Sequence, residues 1–211
     1  MSKEKQHNGE TGSSDAPQST APPRLKVVFH NEVSPKAGEQ FGRSNVMSRP
    51  ELEKIVVSVN MGRHLENNKL PAQVKDTVIA TLTSITGQKP IVIRAKKSVS
   101  NFKVREEAET AAMVTLRRDR MWYFLDRLIN LATPRIKDFR GLKTTGFDAA
   151  GNYSLGLNEQ GVFPEIDMGK VNFTHGMNIN LVFSGSNPEI SRFVLGELGM
   201  PFAKPREAGA A

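Results

Sequence analysis

The spacing of apolar residues predicts two long helices. From Leu70 to Ile85 the apolar residues recur every three or four positions, which places them on one face of a helix. Gly87 follows at the position where a left-handed residue commonly ends a helix. Residues 119–133 carry a second stripe with the same period, and Asp119 at its start is a candidate helix cap.

Two other segments have different helical signals. Residues 188–196 are predicted to form a helix because Asn187 followed by Pro188 is a typical helix start. Residues 25–41 are at best weakly helical, since Pro35 interrupts their pattern.

Between these helices, short apolar runs predict strands. They lie at residues 51–61, 91–94, 110–117, 152–157 and 177–183, and the first is rich in β-branched side chains. The mixture of strands, helices and glycine-rich turns predicts an α+β fold, in which an antiparallel-rich sheet packs against a layer of helices.

The ends of the chain have a different composition from its middle. Residues 1–23 are polar and rich in Ser, Gly, Pro and Gln, so we expect a disordered tail. They lack the apolar run of a signal peptide, and no stretch of the chain has 18 consecutive apolar residues, so we predict no membrane segment. Residues 24–205 are predicted to form a single domain, followed by a short C-terminal tail at residues 206–211.

Positive charge is concentrated in one quarter of the sequence. Residues 88–140 contain thirteen Lys and Arg but six Asp and Glu, so this segment alone accounts for the net charge of +7 of the whole chain. Its first part, residues 88–105, has six basic residues and no acidic one. Such a segment suits a nucleic-acid backbone, because its cations neutralise phosphates. A solvated loop whose lysines only aid solubility remains the alternative.

The sequence contains little that points to catalysis. There is no cysteine, and none of the four histidines has a partner at metal-ligand or catalytic spacing. Glu165 and Asp167 are the one pair of carboxylates that could act as a general acid and base, but no nucleophile accompanies them. We therefore predict that the protein is not an enzyme and has no metal site, no cofactor and no small-molecule substrate.

Several motifs occur together in a familiar order. They are GQKP at residues 87–90, RAKKS at 94–98, NFK at 101–103, VTLRRDRMW at 114–122, PRI at 134–136, DFRGL at 138–142, GNYS at 151–154, EQ at 159–160 and FPEI at 163–166. In this order and spacing they closely resemble the family of bacterial large-subunit ribosomal protein five, which binds 5S rRNA in the central protuberance. The likeness covers roughly residues 45–204.

The resemblance implies a fold and a function. The fold is an antiparallel sheet with helices packed on one face, and the function is that of a structural constituent of the ribosome in the cytoplasm. The open face of the sheet would dock on 5S rRNA, and neighbouring large-subunit rRNA and ribosomal proteins would surround it. The positions that match the RNA-facing residues of the family are Lys54, Asn60, Gln88, Arg94 and Thr115.

Two further contacts are implied by the same resemblance. An extended loop would reach P-site tRNA, and its candidate residues are Lys96, Lys97, Ser98, Phe102, Lys103 and Arg105. In this chain Glu106, Glu107 and Glu109 are expected at the tip of that loop, where acids would repel phosphate. A glycine-rich segment would form an intersubunit bridge to a small-subunit head protein, and its candidate residues are Phe147, Asp148, Asn152 and Tyr153.

One alternative belongs to a different class of function. A stand-alone regulatory RNA-binding module could have a similar basic sheet, and it would stay off the large subunit at moderate salt.

Overall fold

The computed structural model describes residues 21–65, 69–102, 104–169, 171 and 173–203. Most of the predicted N-terminal tail and the whole predicted C-terminal tail lie outside these residues, so their predicted disorder stays a prediction. Among the described residues, no helix is both long and apolar enough to cross a membrane.

The described strands form one five-stranded sheet. They are β1 (Glu51–Asn60), β2 (Ile91–Arg94), β3 (Glu109–Leu116), β4 (Tyr153–Leu157) and β5 (Met177–Ser184). Their order across the sheet is β2-β3-β1-β5-β4, and every neighbouring pair is antiparallel. The predicted fold class is therefore confirmed, with strand ends within one residue of the prediction.

Five α-helical segments accompany the sheet in the part of the chain that the structure describes. They are α1 (Arg24–Val28), α2 (Ser34–Gln40), α3 (Ala72–Thr86), α4 (Arg118–Arg127) and α5 (Pro188–Glu197). A wide π-helical turn, Phe29–Val33, joins α1 to α2, and a second one, Leu128–Ala132, extends α4.

The expectation of a weak helix interrupted at Pro35 was wrong. The helical path runs without a break from α1 to α2, because Leu25, Phe29, Val33 and Ala37 are buried at four-residue spacing. The wide turn ends directly before α2, so Pro35 falls in the first turn of that segment. The wide turn accommodates the proline because it moves the preceding carbonyls off the four-residue spacing at which they would clash with the proline ring.

The ends of the two long helices were predicted with different success. Gly87 ends α3 in the left-handed conformation, with φ of 66°, and its N–H donates to the Thr83 carbonyl at 2.8 Å, as the sequence predicts. Asp119 does not cap α4, which begins one residue earlier at Arg118. The Asp119 carboxylate instead accepts a hydrogen bond from Lys26 Nζ of α1 at 2.7 Å.

One hydrophobic core lies between the helices and a single face of the sheet. Strand β1 alternates between buried residues, among them Ile55, Val57 and Val59, and half-buried ones. The buried side chains pack in the same cluster as Leu82 of α3 and Leu125 of α4. The alternate residues of every central strand consequently lie on the opposite face, which we call the open face.

Candidate RNA-binding surface

The strand register arranges the open face in rows of side chains. In one row Ser154 lies opposite Asn180, Asn180 opposite Val56, and Val56 opposite Thr115. In the adjacent row Gly156 lies opposite Asn178, Asn178 opposite Ser58, Ser58 opposite Met113, and Met113 opposite Ile91. The amides and most hydroxyls of these rows lie on β1, β4 and β5, with Val56 between Asn180 and Thr115, whereas Met113 and Ile91 make the β2 side aliphatic.

Four of the five predicted rRNA-binding residues lie in strands of the sheet, and three of these belong to the central strands β1 and β3. Lys54 and Thr115 lie near the same end of β1 and β3, and Asn60 ends β1 at the other end. Lys54 Nζ is 3.1 Å from the carboxylate of its neighbour Glu53. Asn60 Oδ1 accepts a hydrogen bond from the Gly62 N–H at 2.8 Å, so it already stabilises the turn after β1.

Gln88 lies at the margin of the open face and links two elements. With its amide oriented to suit both neighbours, its nitrogen donates to the Thr115 carbonyl at 3.2 Å and its oxygen accepts from Arg120 Nη1 at 2.7 Å. Gln88 therefore holds an exposed guanidinium beside the end of β3.

Arg94, the fifth predicted rRNA-binding residue, is the last residue of β2 and pairs with Glu109 at the start of β3. Its side chain is 62% exposed, and its guanidinium is 3.9 Å from the Glu107 carboxylate. It lines a shallow pocket with Lys69 and Leu70, which precede helix α3. Because Arg94 pairs with Glu109 at the start of β3, it lies at the opposite end of the sheet from Lys54, Gln88 and Thr115.

The prediction from sequence missed several residues of the open face. The amides of Asn178 and Asn180 and the hydroxyls of Ser58 and Ser154 lie in its rows. The two-residue alternation of polar and apolar side chains in β5 was a usable signal for the asparagines. On the β2 side, Ile91 is 68% exposed, which makes this part of the face apolar.

The described residues between β2 and β3 extend the hairpin of these strands by further backbone pairing. Ala95 N–H donates to the Ala108 carbonyl at 2.8 Å, and Val99 N–H donates to the Val104 carbonyl at 2.8 Å. Ser98 Oγ accepts a hydrogen bond from the Glu106 N–H at 2.9 Å, so this predicted tRNA-contacting residue holds the two arms together. A short 3-10 turn, Ser100–Phe102, begins the connection at the tip.

This hairpin corrects the expected position of the acidic residues. Glu106 and Glu107 lie on the returning arm, and Glu109 begins β3, where its carboxylate pairs with Lys75 of α3 at 2.8 Å. The tip instead carries Phe102, whose side chain is 77% exposed. The acids are displaced from the tip because the Val99–Val104 pairing closes the hairpin before the chain reaches them.

The basic side chains of the hairpin are directed to solvent. Lys96, Lys97 and Arg105 are exposed, and none makes an ion pair with another residue that the structure describes. Lys103, also predicted to contact tRNA, lies outside the described residues. Exposed cations on both arms and an aromatic ring at the tip are a combination suited to RNA.

The predicted bridge segment forms a tight, internally bonded turn before β4. Asp148 Oδ1 accepts from the Asn152 N–H at 2.7 Å, and Asp148 Oδ2 accepts from Asn152 Nδ2 at 2.8 Å. Asn152 Oδ1 also accepts from the Phe183 N–H of β5 at 3.0 Å. The hydrogen bond from the Asn152 side chain is the main reason why the pKa of Asp148 is lowered.

The aromatic residues of this segment face inward. The Tyr153 side chain is 1% exposed, its hydroxyl donates to the Lys143 carbonyl at 2.9 Å, and its ring lies 4.6 Å from that of half-buried Phe147. Tyr153 consequently presents almost no surface to a partner. The exposed residues of the turn are Ala149, Ala150 and Asp148, whose carboxylate is bonded to Asn152.

The residues considered for catalysis have structural partners. Glu165 pairs with Arg127 of α4, whose guanidinium also donates to the Ile85 carbonyl at 2.8 Å. Asp167 accepts a hydrogen bond from the Gly169 N–H at 3.0 Å. His175 is buried, which lowers its pKa, and the described residues contain no group of three or more side chains suited to a metal ion.

These features define a class of protein. The chain is basic, the open face of its sheet is rich in amides and hydroxyls, and a cationic hairpin lies at the edge of that face. These are the properties of an RNA-binding structural protein.

Comparison with known proteins identifies the family. Residues 45–105 match the family model described as Ribosomal protein L5, and residues 109–202 match the model for the C-terminus of the same ribosomal family. The boundary between the two matches falls in the β2–β3 hairpin, and strands from both belong to the same sheet.

Curated relatives are matched over almost their entire length. The large ribosomal subunit protein uL5 of Geobacter sulfurreducens is 46% identical over 179 residues, which are 85% of this chain and 98% of the relative. That of Kocuria rhizophila is 48% identical over 180 residues, 85% of this chain and 93% of the relative. That of Alkaliphilus oremlandii is 50% identical over 182 residues, 86% of this chain and 99% of the relative.

The chain therefore belongs to the ribosomal protein L5 family. It is a structural, non-enzymatic protein of the large ribosomal subunit and associates with ribosomal RNA, as predicted. The predicted location on the ribosome in the cytoplasm is likewise confirmed by the family.

Burial of Tyr153 gives a testable property of the bridge turn. Burial raises the pKa of Tyr153 to about 12, because the ionised phenolate is poorly solvated there. In the unfolded chain a tyrosine titrates near pH 10. The stabilising effect of keeping the hydroxyl neutral is thus present below about pH 10 and is lost as the pH rises towards 12.

We expect the absorbance of phenolate at 295 nm to rise in a late step with a midpoint near 12. The variant Tyr153→Phe should lack that step. A Tyr153 signal that is complete by pH 10.5 would contradict the buried position.

Proposed function

We propose that this protein binds 5S rRNA through the open face of its sheet and thereby helps to anchor that RNA in the central protuberance of the large subunit. The observation that carries this proposal is the row of Ser154, Asn180, Val56 and Thr115, in which three of the four side chains are polar and each is exposed or half-buried. Side chains of these types donate and accept hydrogen bonds with sugar hydroxyls and phosphates.

The geometry of RNA supports a flat face of this kind. An A-form RNA helix has a wide and shallow minor groove that displays 2′-hydroxyl groups, and a sheet surface can approach it without inserting a helix. Neutral amides and hydroxyls would determine how the RNA lies, whereas Lys54 and Arg120 at the margin would supply attraction to phosphate. The aliphatic part around Ile91 would pack against ribose carbon atoms.

We further propose that the β2–β3 hairpin contacts the tRNA in the ribosomal P site. Lys96, Lys97 and Arg105 would neutralise phosphates, and the exposed ring of Phe102 would stack on a base or pack against a sugar. The hydrogen bonds between the two arms support this role, because they hold the tip in one orientation before tRNA binds.

The turn before β4 is proposed as the intersubunit bridge to a small-subunit head protein. Its rigidity comes from Asp148 and Asn152, and the contact surface would consist of Ala149, Ala150 and the adjacent backbone. Phe147 and Tyr153 would act from below by packing against Phe202 and fixing the turn.

The first prediction concerns the open face. The double change Thr115→Ala/Asn180→Ala should weaken 5S rRNA binding by about 2 kcal/mol, or about thirtyfold, since each lost hydrogen bond contributes about 1 kcal/mol. Because both residues are neutral, the loss should be the same at low and moderate salt. Filter retention or gel shift of the labelled RNA measures it.

The control for this experiment is Thr83→Ala on the exposed side of α3, where the hydroxyl bonds only to its own helix, at Ile79, 2.7 Å away. It should leave the affinity unchanged. The proposal fails if the wild type binds 5S rRNA no better than an unrelated duplex of equal length, or if the double change has no effect.

The second prediction concerns the hairpin tip. In ribosomes that carry Phe102→Ala, retention of P-site tRNA should fall by about 1 kcal/mol or more, since stacking of one base on an aromatic ring contributes about 1–3 kcal/mol. Phe102→Tyr keeps the ring and should retain tRNA like the wild type. Equal tRNA dissociation rates for the wild type and Phe102→Ala would refute the contact.

The third prediction concerns the bridge. Ala149→Arg should weaken the association of the two ribosomal subunits by about 1 kcal/mol or more, as expected for a bulky change within a contact. The same change at exposed Ala80 on α3 is the control and should have no effect. Sedimentation of joined and free subunits at limiting magnesium separates these outcomes, and identical profiles would remove the turn from the bridge.

A further inference from the structure

Arg118 has a backbone conformation that is unusual for its residue type. Its φ is 55°, in the left-handed region that glycine adopts without strain but that a residue with a Cβ atom rarely adopts. The residue joins β3 to α4, and a glycine would make the same connection at lower conformational cost.

No contact of the Arg118 side chain within the described fold offsets the cost of this backbone conformation. It is exposed, and it makes no hydrogen bond or ion pair with another described residue. The same holds for its neighbour Arg117. A strained residue whose side chain does nothing for the core suggests that the side chain serves a ligand.

The two arginines line a groove of about 460 Å³ between α1, the start of β1 and the start of α4. Lys26 of α1 and His30 of the wide turn that follows α1 complete its basic side. Three carboxylates also line the groove, but that of Asp119 is paired with Lys26 at 2.7 Å and that of Glu53 with Lys54 at 3.1 Å.

The electrostatic balance of the groove therefore favours an anion. Among its described lining residues, Glu51 is the carboxylate that makes no ion pair. The unpaired charges are therefore this one negative carboxylate and the two positive guanidinium groups of Arg117 and Arg118. Guanidinium groups bind phosphate oxygens with two parallel hydrogen bonds, which a lysine cannot reproduce.

The groove also continues the proposed RNA surface. Thr115 on the open face is followed by buried Leu116 and then by Arg117, while Gln88 holds Arg120 beside the same strand end. Basic side chains thus extend from the end of the open face towards the groove on α1.

We infer that Arg118, next to Arg117, binds a backbone phosphate of the RNA where that RNA passes the end of β3. The groove is then a second, sequence-independent part of the RNA-binding surface. This inference rests on the proposed function, since the RNA is the one bound by the open face.

The test compares Arg118→Gly with Arg118→Lys in the full chain. Arg118→Gly removes the charge and the backbone strain together, whereas Arg118→Lys keeps both. The controls are Arg192→Ala, which removes an exposed arginine on α5, and Asp138→Gly, which relieves another left-handed residue, with φ of 54°. The affinity for 5S rRNA is measured at several salt concentrations, and folding is followed by the midpoint of urea unfolding.

For Arg118→Gly we expect affinity at low salt to fall about tenfold, as for a lost charge-assisted hydrogen bond. The slope of log affinity against log salt should become shallower by about 0.7 to 0.9, the value for one lost phosphate contact. The urea midpoint should stay the same or rise, because strain is relieved. Arg118→Lys should keep most of the slope, and both controls should keep the slope and the affinity of the wild type.

Two results would overturn the inference. An unchanged slope and affinity in Arg118→Gly would show that the guanidinium only faces solvent. A urea midpoint that falls together with the affinity would assign Arg118 to folding. If the wild type binds 5S rRNA no better than an unrelated duplex RNA of equal length, the proposed function fails. The salt dependence of Arg118→Gly binding to that duplex still decides whether Arg118 contacts phosphate, so the two failures are distinguishable.

Discussion

The two-sided character of strand β1 is the constraint on which the rest of the structure depends. Ile55, Val57 and Val59 face the core, and burial of each such side chain stabilises the fold by about 1.5–3 kcal/mol. A slip of one residue in the pairing of β1 would move these side chains to the solvent and bring Ser58 and Asn60 into the core. Because β1 pairs with both β3 and β5, its register fixes the rows of the whole open face.

That register separates the tasks of the two faces. Helices cover one face and supply stability, so the other can carry amides and hydroxyls that contribute nothing to the core. Among the described residues of this surface, the cations lie at the margins, at the hairpin and around the end of β3. Such a division is expected for an RNA-binding surface, since charges supply affinity whereas neutral polar groups determine position.

Much of this could be predicted from the sequence, because the strongest signals are local. The stripe that ends at Gly87 and the β-branched run of β1 determine their elements almost alone. The segment around Pro35 was misjudged because its helix depends on burial of Phe29 and Val33 against the rest of the protein, which is a tertiary effect. The local pattern of apolar and polar residues also does not show where a hairpin closes. For this reason Glu106 and Glu107 were expected at the tip, which Phe102 occupies instead.

The candidate site was predictable in part. The family resemblance leads to Lys54, Gln88 and Thr115, whose role in RNA binding stays a prediction. It gives no indication that Tyr153 is buried or that Arg118 has a left-handed backbone. Both properties arise from how the chain turns between elements. The asparagines of β5 could have been predicted, since their alternation with apolar residues is visible in the sequence once that strand is assigned.

The central claim is that the open face lies against 5S rRNA, and directed cross-linking tests it most directly. The sequence contains no cysteine, so a single cysteine can carry a photoreactive group at one chosen position. We predict that Asn178→Cys on the open face cross-links to 5S rRNA in the assembled complex and that Thr83→Cys on helix α3 does not. Cross-links from position 83 without any from position 178 would contradict the account, because the RNA would then lie against the helices.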